Sequence, residues 1–348
     1  MKPLHIHYLM PQGIGDIIMT VPVLKEINRV KDVIFSISVN SRTEASIINK
    51  LCTEMTISFI YLKEIYDRHN AFISFLILVK KIRKLSPDII LTQFNVKSYK
   101  SSLIAFLSGI KIRAGWEGKL SFLNTHTYIP SSLHKIEENL KSLNTLNIKP
   151  ENPAIKYPLY QPEESNPDYS KFDKILKSDR KIIAISPGSK EQDKHKRWPI
   201  SSFSQLINKI LAERKDIRIC LVGSMRENRL CEDIIKNIDQ EKRIDVINLA
   251  GDTSLPELLY VLSNVNITIT NCNGISHMAC LVNSPIIGLY GPTDYKITGP
   301  ISDKFIPVTA GLDCSPCYRS DYVTGCGDPV CMVKLDVKQV YQTLESMI

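Results

Sequence analysis

The sequence predicts an α/β protein built from two doubly wound, Rossmann-like parallel sheets, and three observations carry that prediction. Its 348 residues exceed what one hydrophobic core usually encloses. Short β-branched runs alternate with amphipathic helical stretches through both halves of the chain. Between the halves, Pro150, Pro153, Pro158, Pro162 and Pro167 stand among acidic residues, the composition of an extended linker. The expected division is a first domain over 1–165, a second over 175–335 and a terminal helix over 336–348.

The first strand is expected from Leu4 to Met10, followed by Pro11-Gln12-Gly13-Ile14-Gly15-Asp16. Ile17, Ile18, Val21, Leu24, Lys25 and Asn28 then give one helix an apolar and a polar face. A dinucleotide fingerprint would need a third glycine where Ile18 stands, and a Walker loop would need Gly-Lys-Ser/Thr, so neither motif is present. What remains is a tight turn that presents the Asp16 carboxylate at a helix start, where helix capping alone would also account for it. Strands over 33–39, 57–61, 89–92 and 112–114 alternate with helices over 43–51, 72–84 and 99–107. A helix near 134–146 closes the first domain.

The second domain opens with a strand over 181–186 and the loop from Pro187 to Pro199. Its Gly188-Ser189 turn can sit against phosphate, and the cations Lys194, Lys196 and Arg197 follow, so the loop as a whole can neutralise a diphosphate. An exposed basic loop is the simpler alternative. Pro199 suits the first turn of a helix running to Leu211. Next come a strand over 217–222, Gly223-Ser224, a helix through Ile235, and a strand over 246–249 ending in Ala250-Gly251. Ser254 caps a helix over 255–262.

The stretch Val265 to Asp294 is the most informative. A strand over 267–270 ends in Asn271-Cys272-Asn273-Gly274, and Asn273 can cap a helix that places Ile275, Met278, Ala279 and Val282 on one face. A strand over 286–290 and the turn Gly291-Pro292-Thr293-Asp294 complete a βαβ unit. Amide groups from Asn273 to Ser276, together with the helix dipole, make its N-terminus a site for phosphate, although many βαβ turns carry a glycine and no ligand.

Composition narrows the class. Hydrophobic residues at 43% and charged residues at 23% argue against disordered, collagen-like or fibrous chains. The first 150 residues hold 20 Lys+Arg against 11 Asp+Glu, a balance of +9, which leaves 24 against 25, or −1, for the remainder. Clusters such as Lys80-Lys81-Ile82-Arg83-Lys84 and Lys97 to Lys100 read singly as solvated helix faces. Together they suit a domain that meets phospholipid headgroups or a phosphorylated glycolipid. Nucleic acid is not an expected partner, because no helix-turn-helix, zinc-finger or RNA-binding signature accompanies the charge. Met1 to Met10 does not read as a signal peptide, and the apolar run from Ala71 to Val79 is too short to span a bilayer, so a cytoplasmic protein is expected. Nine cysteines in such a chain read as reduced thiols. Cys314, Cys317, Cys326 and Cys331 cluster with one pair at metal-ligand spacing, which leaves both a structural metal and free or redox-active thiols open.

The order Asn-x-x-Gly-x-x-His-x-Ala from Asn271 to Ala279, followed by a proline, an apolar strand and Tyr-Gly-Pro-Thr-Asp, resembles the donor-site signature of the lipopolysaccharide heptosyltransferase family. Pro-Gly-Ser at 187–189 with Lys-x-Trp-Pro at 196–199 resembles that family's second motif, and Gly15-Asp16 through Pro22 resembles the segment that carries its catalytic base. The resemblance covers nearly the full chain in order. It implies the GT-B fold, two Rossmann-like domains facing across a cleft, and inverting transfer from a nucleotide sugar without a metal. Asp16 would be the base and Lys196 would contact the donor diphosphate. Gly15, Gly188, Ser189, Ser224, Glu227, Asn273, Gly274, Ile275, Ser276 and His277 would surround the donor, with Asn228 an equal alternative to Glu227 for the ribose. ADP-heptose is the implied donor, and no further cofactor is expected. The family's aspartate two residues before the donor-loop glycine is Cys272 here, and a thiol accepts hydrogen bonds poorly, so Asn271 or Asn273 is expected to compensate.

An anionic glycan or glycolipid is the expected acceptor, touched by Arg113 or Lys119, with peripheral contact at the cytoplasmic face of the inner membrane. The last helix is expected to pack back on the first domain, as is common in GT-B proteins. Two other readings share the phosphate-binding loops: a nucleotide-sugar epimerase or hydrolase of the same shape, and a non-catalytic relative that binds nucleotide or glycolipid. Sugar release without an acceptor would favour the first, and Cys272 suggests the second. Retention of Asp16 and Lys196 speaks for the transferase.

Overall fold

Six runs rich in β-branched and aromatic residues form strands in the first part of the chain: Leu4–Leu9 (β1), Val33–Val39 (β2), Ile57–Tyr61 (β3), Ile89–Thr92 (β4), Ile112–Trp116 (β5) and His126–Tyr128 (β6). They make one parallel sheet in the order β3-β2-β1-β4-β5-β6. The central strands are buried on both faces, as a parallel sheet between helical layers requires. Six more, Lys181–Ser186 (β7), Ile217–Leu221 (β8), Val246–Asn248 (β9), Ile267–Asn271 (β10), Ile286–Tyr290 (β11) and Phe305–Thr309 (β12), repeat the pattern in the order β12-β11-β10-β7-β8-β9. Each pairing in this second sheet is parallel as well.

These facts come from a computed structural model that describes residues 3–10, 13–30, 32–93, 98–150, 157, 159–163, 167–177, 179–319, 322–323 and 329–348. The chain divides into two units, 1–158 and 159–348. In each, the chain runs outward through three strands and returns to lay its fourth beside its first. The strand order therefore reverses between β1 and β4 in one unit and between β7 and β10 in the other. Ligands of open α/β sheets bind at the carboxyl ends of strands that flank such a reversal.

Several elements differ from the sequence expectation. Strands β6 and β12 were not expected, because β6 has three residues and β12 contains Pro307. Both lie at sheet edges, where a proline without an N–H is tolerated. The single helix expected after β1 is two, Ile14–Ile18 and Val21–Val30. Pro22 has no N–H to bond the Ile18 carbonyl, and Thr20 turns its N–H to the Ile17 carbonyl at 2.9 Å while its hydroxyl donates to the Asp16 carbonyl at 2.9 Å. Pro199 caps the helix Ile200–Glu213 rather than lying inside it.

Residues 159–163 and 167–177, which include the end of the expected linker at Pro162 and Pro167, belong to the second unit. Tyr160 donates its N–H to Leu281, Tyr169 stacks on Tyr260 at 4.3 Å, and Lys171 pairs with Glu257 at 2.7 Å. The last helix is Val337–Glu345. Its apolar face, Val340, Tyr341 and Leu344, is buried in the core beneath the second sheet, together with Phe203, Ile207 and Ile287.

Candidate functional site

In the first unit, the reversal between β1 and β4 carries Asp16 in the opening turn of the helix Ile14–Ile18. Gln93, buried at the end of β4, donates through Nε2 to the Asp16 carbonyl at 2.7 Å and also bonds the Thr20 hydroxyl. Its N–H bonds the Leu9 carbonyl at 3.1 Å, so β4 fixes the backbone of the turn that leaves β1. The Asp16 carboxylate is held separately. Lys135 places Nζ 2.6 Å from Asp16 Oδ1, with the two side chains only 11% and 22% exposed.

Lys135 is the first residue of the helix Lys135–Ser142, where the His134 ring accepts the Ile136 N–H at 3.2 Å. The loop before it is braced by the buried Glu138, whose Oε1 accepts the N–H groups of Ser131 and Leu133 at 2.8 and 2.9 Å. A cation at a helix N-terminus opposes the dipole, so Lys135 has a poor local environment and a good distant one. That mismatch is the sequence signal by which it could have been found. Gly15 lies in the same short helix, where its carbonyl accepts the Met19 N–H at 3.0 Å.

Arg113, expected to touch the acceptor, directs its guanidinium to the carbonyls of Leu123 and Ile110 at 2.8 and 2.6 Å and lies over the Phe106 ring. Those contacts hold the turns on either side of β5.

In the second unit, the reversal between β7 and β10 brings the two expected phosphate-binding loops together. Asn271, fully buried at the end of β10, donates to the Pro187 carbonyl at 2.7 Å and accepts the Trp198 N–H at 3.1 Å. Asn273 caps the helix Gly274–Leu281 by accepting the Ile275 N–H, and its Nδ2 reaches Ser186 Oγ and the Gly188 carbonyl at 3.0 and 2.9 Å. Its Oδ1 also accepts the Thr270 hydroxyl. With two donations and two acceptances Asn273 is committed to bracing the two loops, and Asn271 is enclosed between them. Cys272 itself is half-buried.

Ser276 and His277 are buried, while Gly274 and Ile275 remain half-exposed, so the first turn presents backbone rather than side chains.

The cations Lys194, Lys196 and Arg197 of the loop after β7 separate. Lys196 is buried with Nζ 3.6 Å from Asp193 Oδ2. Arg197 fastens the loop by donating to the Ser189 carbonyl and hydroxyl at 2.6 and 3.0 Å, and Lys194 is exposed beside Glu191. Burial, reinforced by the Lys196 charge, holds His195 below the ordinary histidine value. Two residues after Lys196, the Trp198 ring is buried edge-on to Phe203, and its Nε1 bonds the Leu335 carbonyl at 3.0 Å. The Lys-x-Trp-Pro motif is thus a cation on an aromatic anchor.

Ser224 and Glu227 form a capping box after β8, in which Glu227 Oε2 accepts the Ser224 N–H and hydroxyl at 2.7 and 2.8 Å. The other carboxylate oxygen lies where a Cβ on Gly188 would stand. Gly188→Ala should therefore displace Glu227 from its cap and lower stability by about 1 kcal/mol or more. Thermal unfolding checks this, and an unchanged midpoint would mean that the glycine has no such steric role. Asn228, the alternative to Glu227, donates to the Ala250 carbonyl at 2.9 Å.

The cysteine cluster divides as well. Cys314 is exposed, Cys317 half-buried and Cys331 buried in the second core, while Cys326 lies outside the described residues. Among the described residues no group of three side chains is placed to ligate a metal.

Two parallel six-stranded sheets of identical strand order, one with a clamped carboxylate at its reversal and the other with a cationic, amide-lined loop pair, define a protein of the GT-B class. A family model described as glycosyltransferase family 9 (heptosyltransferase) matches residues 76–326, and the chain belongs to that family. It is 30% identical over 217 residues to lipooligosaccharide heptosyltransferase 2 of Haemophilus influenzae, over 60% of this chain and 62% of that protein. The chain thus spans a little under two thirds of the length of the curated relatives it matches. Among solved structures, a glycosyl transferase family 9 protein from Veillonella parvula superposes with a TM-score of 0.75 at 17% identity, covering 99% of this chain and 97% of that one. An ADP-heptose lps heptosyltransferase II from E. coli superposes with a TM-score of 0.72 at 20% identity, over 99% and 98%. At these identities the structural likeness establishes the fold.

Proposed function

We propose that the protein is an inverting, metal-independent glycosyltransferase that moves heptose from ADP-heptose onto a lipopolysaccharide-core or related bacterial surface glycan. The observation that carries this reading is the clamped carboxylate at the β1/β4 reversal, in a family-9 chain whose other sheet bears a cationic loop pair at its own reversal. The acceptor hydroxyl attacks the anomeric carbon, its proton passes to Asp16, and the bond from that carbon to the diphosphate breaks on the opposite face. Lys196 and the amides from Asn273 to Ser276 stabilise the departing charge, so no divalent cation is needed.

Lys135 acts through Asp16. By holding Oδ1 it fixes the carboxylate rotamer that meets the acceptor hydroxyl, which makes it a positioning residue. Gly188, Ser189, Ser224 and Glu227 shape the nucleotide pocket around the cross-braced loops. Arg113 belongs to the acceptor side through the turns it holds.

The acceptor is anionic and lipid-borne, in keeping with the +9 balance of the first 150 residues, and the protein works at the cytoplasmic face of the inner membrane as a peripheral protein. No helix among the described residues is long and apolar enough to cross a bilayer.

A thermal-shift panel of ADP, UDP, GDP and CDP tests the donor. ADP at about a hundredfold over its Kd should stabilise the fold by about 2.7 kcal/mol, and the other nucleotides should do less at the same concentration. A larger shift with UDP would sink the ADP-heptose assignment and favour the epimerase reading.

A further inference from the structure

The helix Ala71–Leu85 is apolar on two faces where one would suffice. Ser74, Leu78, Val79 and Ile82 are buried in the first unit, Leu78, Val79 and Ile82 within a core they share with Leu9, Ile90 and Ile104. Facing outward are Phe72, Ile73 and Leu76, at 70%, 42% and 48% exposure. Lys80, Arg83 and Lys84 follow, all exposed. At 3.6 residues per turn these six side chains fall within an arc of about 120° on a helix about 22 Å long. They therefore form one stripe, apolar in its first two turns and cationic in its last two.

A neighbouring surface extends the stripe. Arg83 donates to the Leu107 carbonyl at 2.6 Å, which ties the cationic end to the end of the helix Ser98–Leu107, where Phe106 and Leu107 are 48% and 37% exposed. Exposed apolar side chains scattered singly need no explanation, but a contiguous set bordered by cations on one helix face does.

We propose that this face docks on an anionic lipid bilayer. Phe72, Ile73 and Leu76 would enter the boundary between headgroups and acyl chains, and Lys80, Arg83 and Lys84 would meet lipid phosphates with their methylene stems lying along the apolar layer. The order of the two halves favours a bilayer over an apolar protein surface. A protein cover matched to the three apolar residues would leave the adjoining cations without counter-charge, whereas an interface of anionic headgroups supplies both environments to one flat stripe. The inference deepens the reading above, in which the acceptor is lipid-borne, but it is tested without any transfer reaction.

The full chain is sedimented with vesicles of phosphatidylcholine alone and of equimolar phosphatidylcholine and phosphatidylglycerol. The wild type should partition onto the anionic vesicles only, and high salt should weaken the binding. Phe72→Ser with Leu76→Ser should lower that partition about tenfold or more, and Lys80→Glu with Lys84→Glu by a similar factor. All these positions are exposed, so the far-ultraviolet circular dichroism of both variants should match the wild type, which excludes misfolding as the cause. Wild-type protein that stays in solution with both vesicles, or variants that bind as well as the wild type, would overturn the proposal. So would a dimer dissolved by Phe72→Ser with Leu76→Ser, since the face would then belong to a second copy. Loss of the ADP thermal shift concerns the donor assignment and leaves vesicle binding unaffected, so the two readings fail separately.

Discussion

Asp16→Asn is expected to lower sugar transfer by about 10³-fold while leaving ADP affinity within a factor of two or so of wild type. Asparagine is the informative replacement. Its amide oxygen can still accept the Lys135 ammonium, whereas alanine would strip a largely enclosed cation of its counter-charge and confound chemistry with stability. The base is lost and the clamp is kept. Lys135→Met is the companion variant: Asp16 remains, but the Lys135 clamp on its carboxylate is gone, so kcat should fall about tenfold with the donor KM unchanged. Lys135→Arg should recover part of the loss, which a merely destabilising substitution would not allow. Transfer rates with ADP-heptose, together with ADP titrations, decide the matter. Normal turnover by Asp16→Asn would remove this residue from the mechanism.

Lys196→Ala is expected to cost about 10²-fold in kcat, because the buried ammonium would stabilise a charge that grows as the bond to the diphosphate breaks. The change should be felt in kcat more than in the donor KM, since ground-state and transition-state charges differ most at the leaving oxygen. Fold stability should be less affected. Asp193, 21% exposed, keeps access to water when its partner is removed, and Trp198 still anchors the loop. The corresponding changes at Lys194 and Arg197 separate the roles within the loop. Lys194→Ala should be silent because that side chain is exposed, whereas Arg197→Ala should loosen the Ser189 turn and raise the donor KM. Steady-state kinetics on the three variants provide the comparison, and equal losses at all three positions would argue for a diffuse charge effect instead.

Much of the fold is legible without coordinates. Alternation of β-branched runs with helical periodicity is a property of neighbouring residues, so five of the first sheet's six strands and five of the second's are readable from the chain. Strands β6 and β12 are not. Their three-residue length and their proline remove the local signal, and only pairing with β5 and β11 makes them strands. The loops that bear Asp16, Gly188, Lys196 and Asn273 are readable for the same local reason, because turn residues and a helix cap announce themselves within a few positions.

The sequence by itself determined the fold class, the family resemblance and the loops in which function should be sought. The tertiary structure decided how the side chains in those loops are used. Lys135 meets Asp16 across 119 positions, Asn271 and Asn273 brace a loop some 85 residues upstream, and of the four Lys and Arg side chains in that loop only Lys196 is buried. It also set the last helix on the second sheet, through Val340, Tyr341 and Leu344. The physical reason is that periodicity and capping act over a few residues, whereas burial and charge pairing depend on which strands the winding of the sheet brings side by side.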